Sequence, residues 1–268
     1  MNPKVSILYC TARPGGLDIL RESIKVQTFQ DFEVIIVDEL RRWEFQENFQ
    51  DNRVQFVEPP TKKEGAFWNL SASLNKGTEV ARGEVIVLLQ DYIFVPEDGI
   101  KKLVEIYDQD KPCLVSGVGH QFLAPPYINA DAPWSVWGSW PGRPSGELVF
   151  QDPRIKGHGV YVCTPVEWEA NYACFGKEIW ENIGGFDEDF DAGWGYDNVN
   201  FAERAQLAGY NTFLDMDNQC LCYSHIHLLN EKTFRDSSPN NQKLWYKKYQ
   251  ELHYNPKTAW KINYAKKA

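Results

Sequence analysis

No apolar run in the sequence approaches the roughly 20 residues that a bilayer-spanning helix needs. Met1-Asn2-Pro3-Lys4-Val5 leads straight into a strand pattern with no apolar signal-peptide core. The expectation is a soluble, cytoplasmic protein with no transmembrane segment, peripheral membrane contact being left open. Positive charge is not in excess either: 28 Lys and Arg face 37 Asp and Glu, a net charge of −9. A polyanion is held by clustered Lys and Arg that replace its counterions, so nucleic acid is not expected as the main partner. Six cysteines (Cys10, Cys113, Cys163, Cys174, Cys220, Cys222) contain no C-x-x-C pair, which speaks against a zinc ribbon and against a disulfide framework. Cys220 and Cys222, two apart, would share one face of a strand and read as packing. Internal repeats and low-complexity segments are also missing.

What is present is length for a substantial core and an unusual share of aromatic residues. The 268 residues suit one α/β domain. Trp, Tyr and Phe make up 14% of them, many in irregular stretches where rings commonly serve as stacking surfaces for ligands, sugars included.

Val5 to Thr11 reads as a buried strand, Ala12 to Gly16 as the loop after it, and Leu17, Leu20 and Ile24 as the face of a helix. Phe32 to Asp38 is almost wholly apolar until its last residue, as a parallel strand covered on both faces should be. A third strand over Arg53 to Glu58 and a helix from Ala66 to Ala81 follow. Next come a strand ending in Gln90-Asp91 and a helix opened by Pro96, with Ile100, Leu103, Val104 and Tyr107 inward. This alternation predicts a parallel sheet with right-handed crossovers. Cys113 to Gly119 continues as strand. Residues 120–159, with six prolines and with Trp134, Trp137 and Trp140, read as a long irregular segment, functional or mobile, whose tryptophans fit packing on the domain surface and contact with an acceptor equally well. A strand from Tyr161 to Val166, a helix from Lys177 to Ile183, short strands at Asn211–Asp215 and Cys220–Ser224, and a helix from Asn240 to Leu252 complete the pattern.

Gly193-Trp194-Gly195-Tyr196-Asp197-Asn198 is the stretch around which the chain is organised. Its glycines permit close backbone approach, Trp194 offers a flat apolar face and Asp197 a proton acceptor. Phe201, Ala205 and Ala208 follow at helical spacing, so Asp197 and Asn198 read equally well as helix caps. Ligands of open α/β sheets bind at the carboxyl ends of strands, which is where Asp38 and Asp91 fall. His225 and His227, at i and i+2, could ligate a metal together or simply be exposed. Carboxylates and histidines so placed could hold a nucleotide diphosphate through a divalent cation while a base deprotonates a hydroxyl. Carboxylates suit Mg²⁺, and an added imidazole leans towards Mn²⁺.

In the order Thr11-Ala12-Arg13, Val37-Asp38, Asn75-Lys76-Gly77, Ala81-Arg82-Gly83-Glu84, Asp91 with Pro96 beyond it, and Ile183-Gly184-Gly185-Phe186-Asp187, the sequence resembles the inverting family-2-like glycosyltransferases with the GT-A fold. The Gly193-Trp194-Gly195 loop is similar to the Gly-Trp-Gly-Gly-Glu-Asp motif of galactosyl- and N-acetylgalactosaminyl-type members. The resemblance implies an α/β fold with a Rossmann-like, mostly parallel central sheet flanked by helices, and a smaller acceptor-side region. It implies a catalytic domain over residues 1–230, divided into a nucleotide half (1–118) and an acceptor half (119–230), with a helical tail over 231–268. Thr11, Ala12, Arg13, Asp38, Asn75, Gln90 and Asp91 would bind a nucleotide-sugar donor, most often a uridine one. Asp91, His225 and His227 would ligate the cation. Trp194, Gly195, Tyr196 and Asn198 would contact sugars, and Asp197 would be the base acting on a glycan or glycoconjugate acceptor. Two departures stand out: the first aspartate of the family's Asp-x-Asp is replaced by Leu89 or Gln90, and strict alignment puts Asn198 where the base belongs. Asn cannot take a proton near neutral pH, which leaves Asp197 for that role. A binding protein without catalysis and, further behind, a nucleotidyltransferase are the alternatives.

Overall fold

A computed structural model describes residues 2–12, 16–43, 46, 49–62, 64, 68–123, 143–144, 146–223 and 238–254. Strands β1 (Val5–Thr11) and β2 (Phe32–Asp38) are buried along their whole length. Helix α1 (Gly16–Val26) covers one face of them with Leu17, Leu20 and Ile24, which join Val5, Ile7 and Val34 in one core cluster. Helix α2 (Leu70–Val80) covers the other, where Leu74 packs with Leu8 and Ile35. Apolar cover on both sides is why neither strand alternates in polarity.

The chain continues through β3 (Val54–Val57), β4 (Val85–Gln90), the two-residue β5 (Ile93–Phe94), α3 (Gly99–Gln109) and β6 (Cys113–Phe122). Then come β7 (Leu148–Gln151), β8 (Val160–Val162), β9 (Tyr172–Gly176), α4 (Lys177–Ile183), α5 (Asp197–Leu207), β10 (Asn211–Tyr223) and α6 (Ser238–Tyr254). The sheet runs β3-β2-β1-β4-β9-β6-β10-β5, with β7 on β6 and β8 on β10. β1, β2, β3 and β4 are mutually parallel, as are β6 and β10, while β9 lies antiparallel between β4 and β6. The α/β, mostly parallel, helix-flanked architecture is the expected one. Thr11 pairs with Asp38, and Cys10 with both Val37 and Gln90, so the carboxyl ends of β2, β1 and β4 form one level rim.

Three expectations are corrected. The segment over 120–159 is not irregular throughout: β6 extends to Phe122 and β7 pairs back onto it. Trp134, Trp137 and Trp140 lie outside the described residues. The strand expected to reach Val166 stops at Val162, because Thr164 begins a turn in which its carbonyl accepts from Glu167 at 3.0 Å and Pro165 has no N–H to offer a ladder. The two short strands near 211 and 220 are one strand, β10, whose register on β6 shifts between Leu214 and Gln219. No described helix is long and apolar enough to cross a membrane.

Candidate active site

The sheet rim carries the expected donor residues. Asp91, fully buried just past β4, accepts from the Thr11 hydroxyl at 3.2 Å and the Ala12 N–H at 3.1 Å, both on Oδ2. It thereby ties the loop after β1 to the end of β4. Gln90 is half-buried beside it, and its N–H donates to the Asn171 carbonyl at 2.9 Å. Arg13 lies outside the described residues.

Asp38 ends β2 in a turn, accepting from the N–H of Leu40 at 3.1 Å and of Arg42 at 3.0 Å. The Arg42 guanidinium grips the same carboxylate with two bonds of 2.9 Å, both partners being buried. The ordinary turn role of Asp38 is therefore filled, and Arg42, four residues on, is a partner that sequence reading missed.

Asn75 occupies a different place from the one expected. Its amide donates to the Phe186 carbonyl at 2.9 Å and to Glu188 at 3.0 Å, and it accepts from Trp180 Nε1 at 2.9 Å and the Phe186 N–H at 2.7 Å. An amide has two donor and two acceptor positions, all used here within the protein. Asn75 fastens α2 to the Gly184–Phe186 turn; its side chain has no position left over for a nucleotide.

That turn leads to the organising loop through a 3-10 helix, Glu188–Ala192. Asp191, buried within it, accepts from the N–H groups of Ser71 at 2.7 Å and Ala72 at 3.0 Å, capping the first turn of α2. Burial pushes its carboxyl up to about 6, and the nearby Asp197 charge adds to the rise. Burial raises the thiol of Cys10, next to last in β1, and the charges of Glu39 and Asp191 add to the rise.

Gly195 has a φ of 79° and Tyr196 a φ of 71°. The second is unusual, since left-handed backbone is unfavourable for a residue with a bulky side chain. Trp194 is exposed. Asp197 then opens α5, with burial raising its pKa although the N–H groups of Asp197 and Asn198 pull it down. Asn198 donates to the Trp168 carbonyl at 3.1 Å. Below it, Phe201 stacks on Phe186 with centroids 4.1 Å apart, and on Trp168 at 5.8 Å. Arg204 donates to the carbonyls of Ile183 at 2.8 Å and Gly185 at 2.6 Å. The start of α5 is thus fixed from beneath.

Among the described residues no group of three or more His, Cys, Asp or Glu side chains is arranged to hold a metal ion. Asp91 is the one expected ligand described, and its Oδ2 already accepts two protein hydrogen bonds. His225 and His227 lie outside the described residues. The described side chains by themselves do not fit a metal centre. A groove of about 660 Å³ lies far from this rim, at the amino ends of β1 and β4. Its cations are engaged, Lys4 with Glu84 and Asp108, Arg82 with Glu33, and Lys177 with the Ala81 carbonyl, so it is not the site.

Residues 13–140 match the family model for glycosyl transferase family 2. No curated protein matches the sequence. Among solved structures, the chain is similar to a mannosyltransferase, PcManGT from Pyrobaculum calidifontis, in complex with GDP-Man and Mn²⁺. That likeness has 19% identity and a TM-score of 0.59, covering 93% of this chain and 64% of that one. It is also similar to GalNAc-T7 with UDP, GalNAc and Mn²⁺, at 14% identity and a TM-score of 0.60, over 84% of this chain and 45% of that one. The chain therefore spans less than two thirds of the length of either structure. Sheet order, the level rim and these likenesses give the chain a fold of the GT-A type, and its residues 13–140 are similar to glycosyl transferase family 2.

Proposed function

We propose that the chain transfers a sugar from a nucleotide-sugar donor, UDP-linked, to a hydroxyl of a glycan or glycoconjugate acceptor, with inversion and with Asp197 as general base. The observation that carries this reading is the Asp197 carboxyl: buried at the start of α5, raised in pKa, and adjoining an exposed tryptophan and two positive-φ residues in a GT-A fold. A carboxylate whose proton affinity is raised towards neutrality is a better base than an ordinary one. In the reaction the Asp197 carboxylate takes the acceptor O–H proton, the oxygen forms its bond to the anomeric carbon, and the bond from that carbon to the diphosphate breaks.

The donor is assigned to the rim formed by Thr11, Ala12, Gln90 and Asp91, within residues 1–118, and the acceptor to 119–230 around Trp194, Gly195, Tyr196 and Asn198. The preference for uridine rests on the Gly-Trp-Gly likeness and on the UDP of GalNAc-T7; the GDP-Man of the mannosyltransferase is the competing precedent. A divalent cation belongs to this reading by likeness to the two Mn²⁺ complexes, with Asp91 its one described ligand. A cytoplasmic location is part of the same proposal.

Asp197→Asn keeps size and burial but cannot take a proton, so transfer should fall by about 100-fold or more while UDP still binds. Turnover at the wild-type rate would refute the assignment. The engaged Asp91 carboxylate and the absent first aspartate favour a binding protein as second reading. Release of free UDP from a UDP-sugar by the wild-type chain separates the two.

A further inference from the structure

The C-terminal helix α6 is packed onto the catalytic loop, and its contacts are aimed at that loop's backbone. Asn241, only 3% exposed, donates from Nδ2 to the carbonyls of Phe190 and Gly195, each at 2.9 Å. These carbonyls stand on either side of Gly193-Trp194. The approach is so close that a Cβ on Gly193 would lie 2.6 Å from the Asn241 Oδ1, which accounts for a glycine there. One turn along α6, Trp245 stacks on Tyr196 with centroids 5.6 Å apart and planes at 28°. Lys248 follows on the same face and bridges Asp187 at 2.7 Å and Asp189 at 2.8 Å. His253 reaches Glu203 of α5 at 3.3 Å. The helix touches the turn before the loop, the loop tip and the helix after it.

Resting on the reading of Asp197 as the base, we propose that Asn241 is a positioning residue for transfer. Its two N–H groups hold the carbonyls of Phe190 and Gly195 at a fixed separation, and Trp245 keeps Tyr196 in its left-handed conformation. Tyr196 immediately precedes Asp197, so a change in its backbone moves the base and Trp194 relative to each other. The donor rim on β1, β2 and β4 is not among the contacts of Asn241. Loss of Asn241 therefore acts on the chemical step and leaves donor binding alone.

The test uses the full chain with Asn241→Ala and Asn241→Asp, the second nearly isosteric but presenting acceptors where two carbonyls need donors. At saturating donor and acceptor, kcat should fall by about 100-fold, the scale of loss for a displacement of about 1 Å at a reacting group. KM for the UDP-sugar and the thermal shift with UDP should stay at wild-type values, and amide exchange over residues 193–198 should speed up. A lower melting temperature with kcat unchanged would show a merely structural role and overturn the proposal. If neither variant folds, Asn241→Ser, which keeps one donor, should give an intermediate kcat; wild-type kcat overturns the proposal equally. Amide exchange needs no substrate. Slow, unchanged exchange at residues 193–198 in Asn241→Ala sinks the positioning role, whereas wild-type protein that turns over no donor sinks the transferase reading instead.

Discussion

An aspartate in the first turn of a helix ordinarily has its pKa lowered, because the free N–H groups there favour the charged form. Asp197 goes the other way: burial outweighs the N–H groups of Asp197 and Asn198. A base raised in this way leaves a trace in the pH dependence of the rate. The acid limb of kcat/KM should have its midpoint above the ordinary aspartate value of about 3.9, with activity rising as pH rises because the carboxylate is the active form. A profile flat from pH 4 upwards would place the base elsewhere. The sequence exposes Asp197 to view because it is the only carboxylate in the loop tip. Asp191 is hidden in the acidic stretch Asp187-Glu188-Asp189-Phe190-Asp191, since nothing in that spacing tells which carboxyl turns inward. Asn241 is hidden for a different reason: its role is a contact with Phe190 and Gly195, about fifty positions earlier.

At the scale of elements, helix ends show what these buried carboxyls do. Asp191 caps α2 through Ser71 and Ala72, and Asp191→Ala should cost about 1 kcal/mol of stability, read by urea unfolding. In α1, Asp18 is 2% exposed and burial lifts it to about 6, with Arg21 at 3.1 Å offsetting only part of the rise. A carboxyl whose pKa is higher folded than unfolded binds more protons in the native state between the two values. Its contribution therefore falls as pH rises from about 4 to about 6 and stays low above. Asp18→Asn should then stabilise the protein at pH 7, by an amount on the order of 2 kcal/mol, and give no gain at pH 4. A gain that persists at pH 4 would point to a cause other than ionisation. Element bounds were readable where apolar runs end in strong punctuation: β1, β2 and α4 start and stop at the expected residues. β10 was not, because its bulge between Leu214 and Gln219 looks in sequence like a break between strands.

For the whole molecule, the alternation of strands and helices up to residue 119 is enough to fix parallel pairing and hence the rim, since strand–helix–strand units close in one sense. The insertion of β9 antiparallel between β4 and β6 has no local signature, as Tyr172–Gly176 is a short apolar run that either direction would bury. With β9 so placed, Asn171 bonds Gln90, and the strands before and after residue 119 share one sheet. Ligand binding at the rim should therefore stabilise the entire fold. At 100 times its dissociation constant, UDP should raise unfolding free energy by about 2.7 kcal/mol, seen as a rise in melting temperature that ADP does not match. If a divalent cation bridges diphosphate and protein, the rise should require Mn²⁺ or Mg²⁺ and vanish with EDTA, and Asp91→Ala should abolish it. An equal rise with and without metal would leave the diphosphate to the chain's own groups and remove the cation from the reading. A larger rise with GDP than with UDP would move the donor assignment to the guanosine sugars, the class bound in the mannosyltransferase complex.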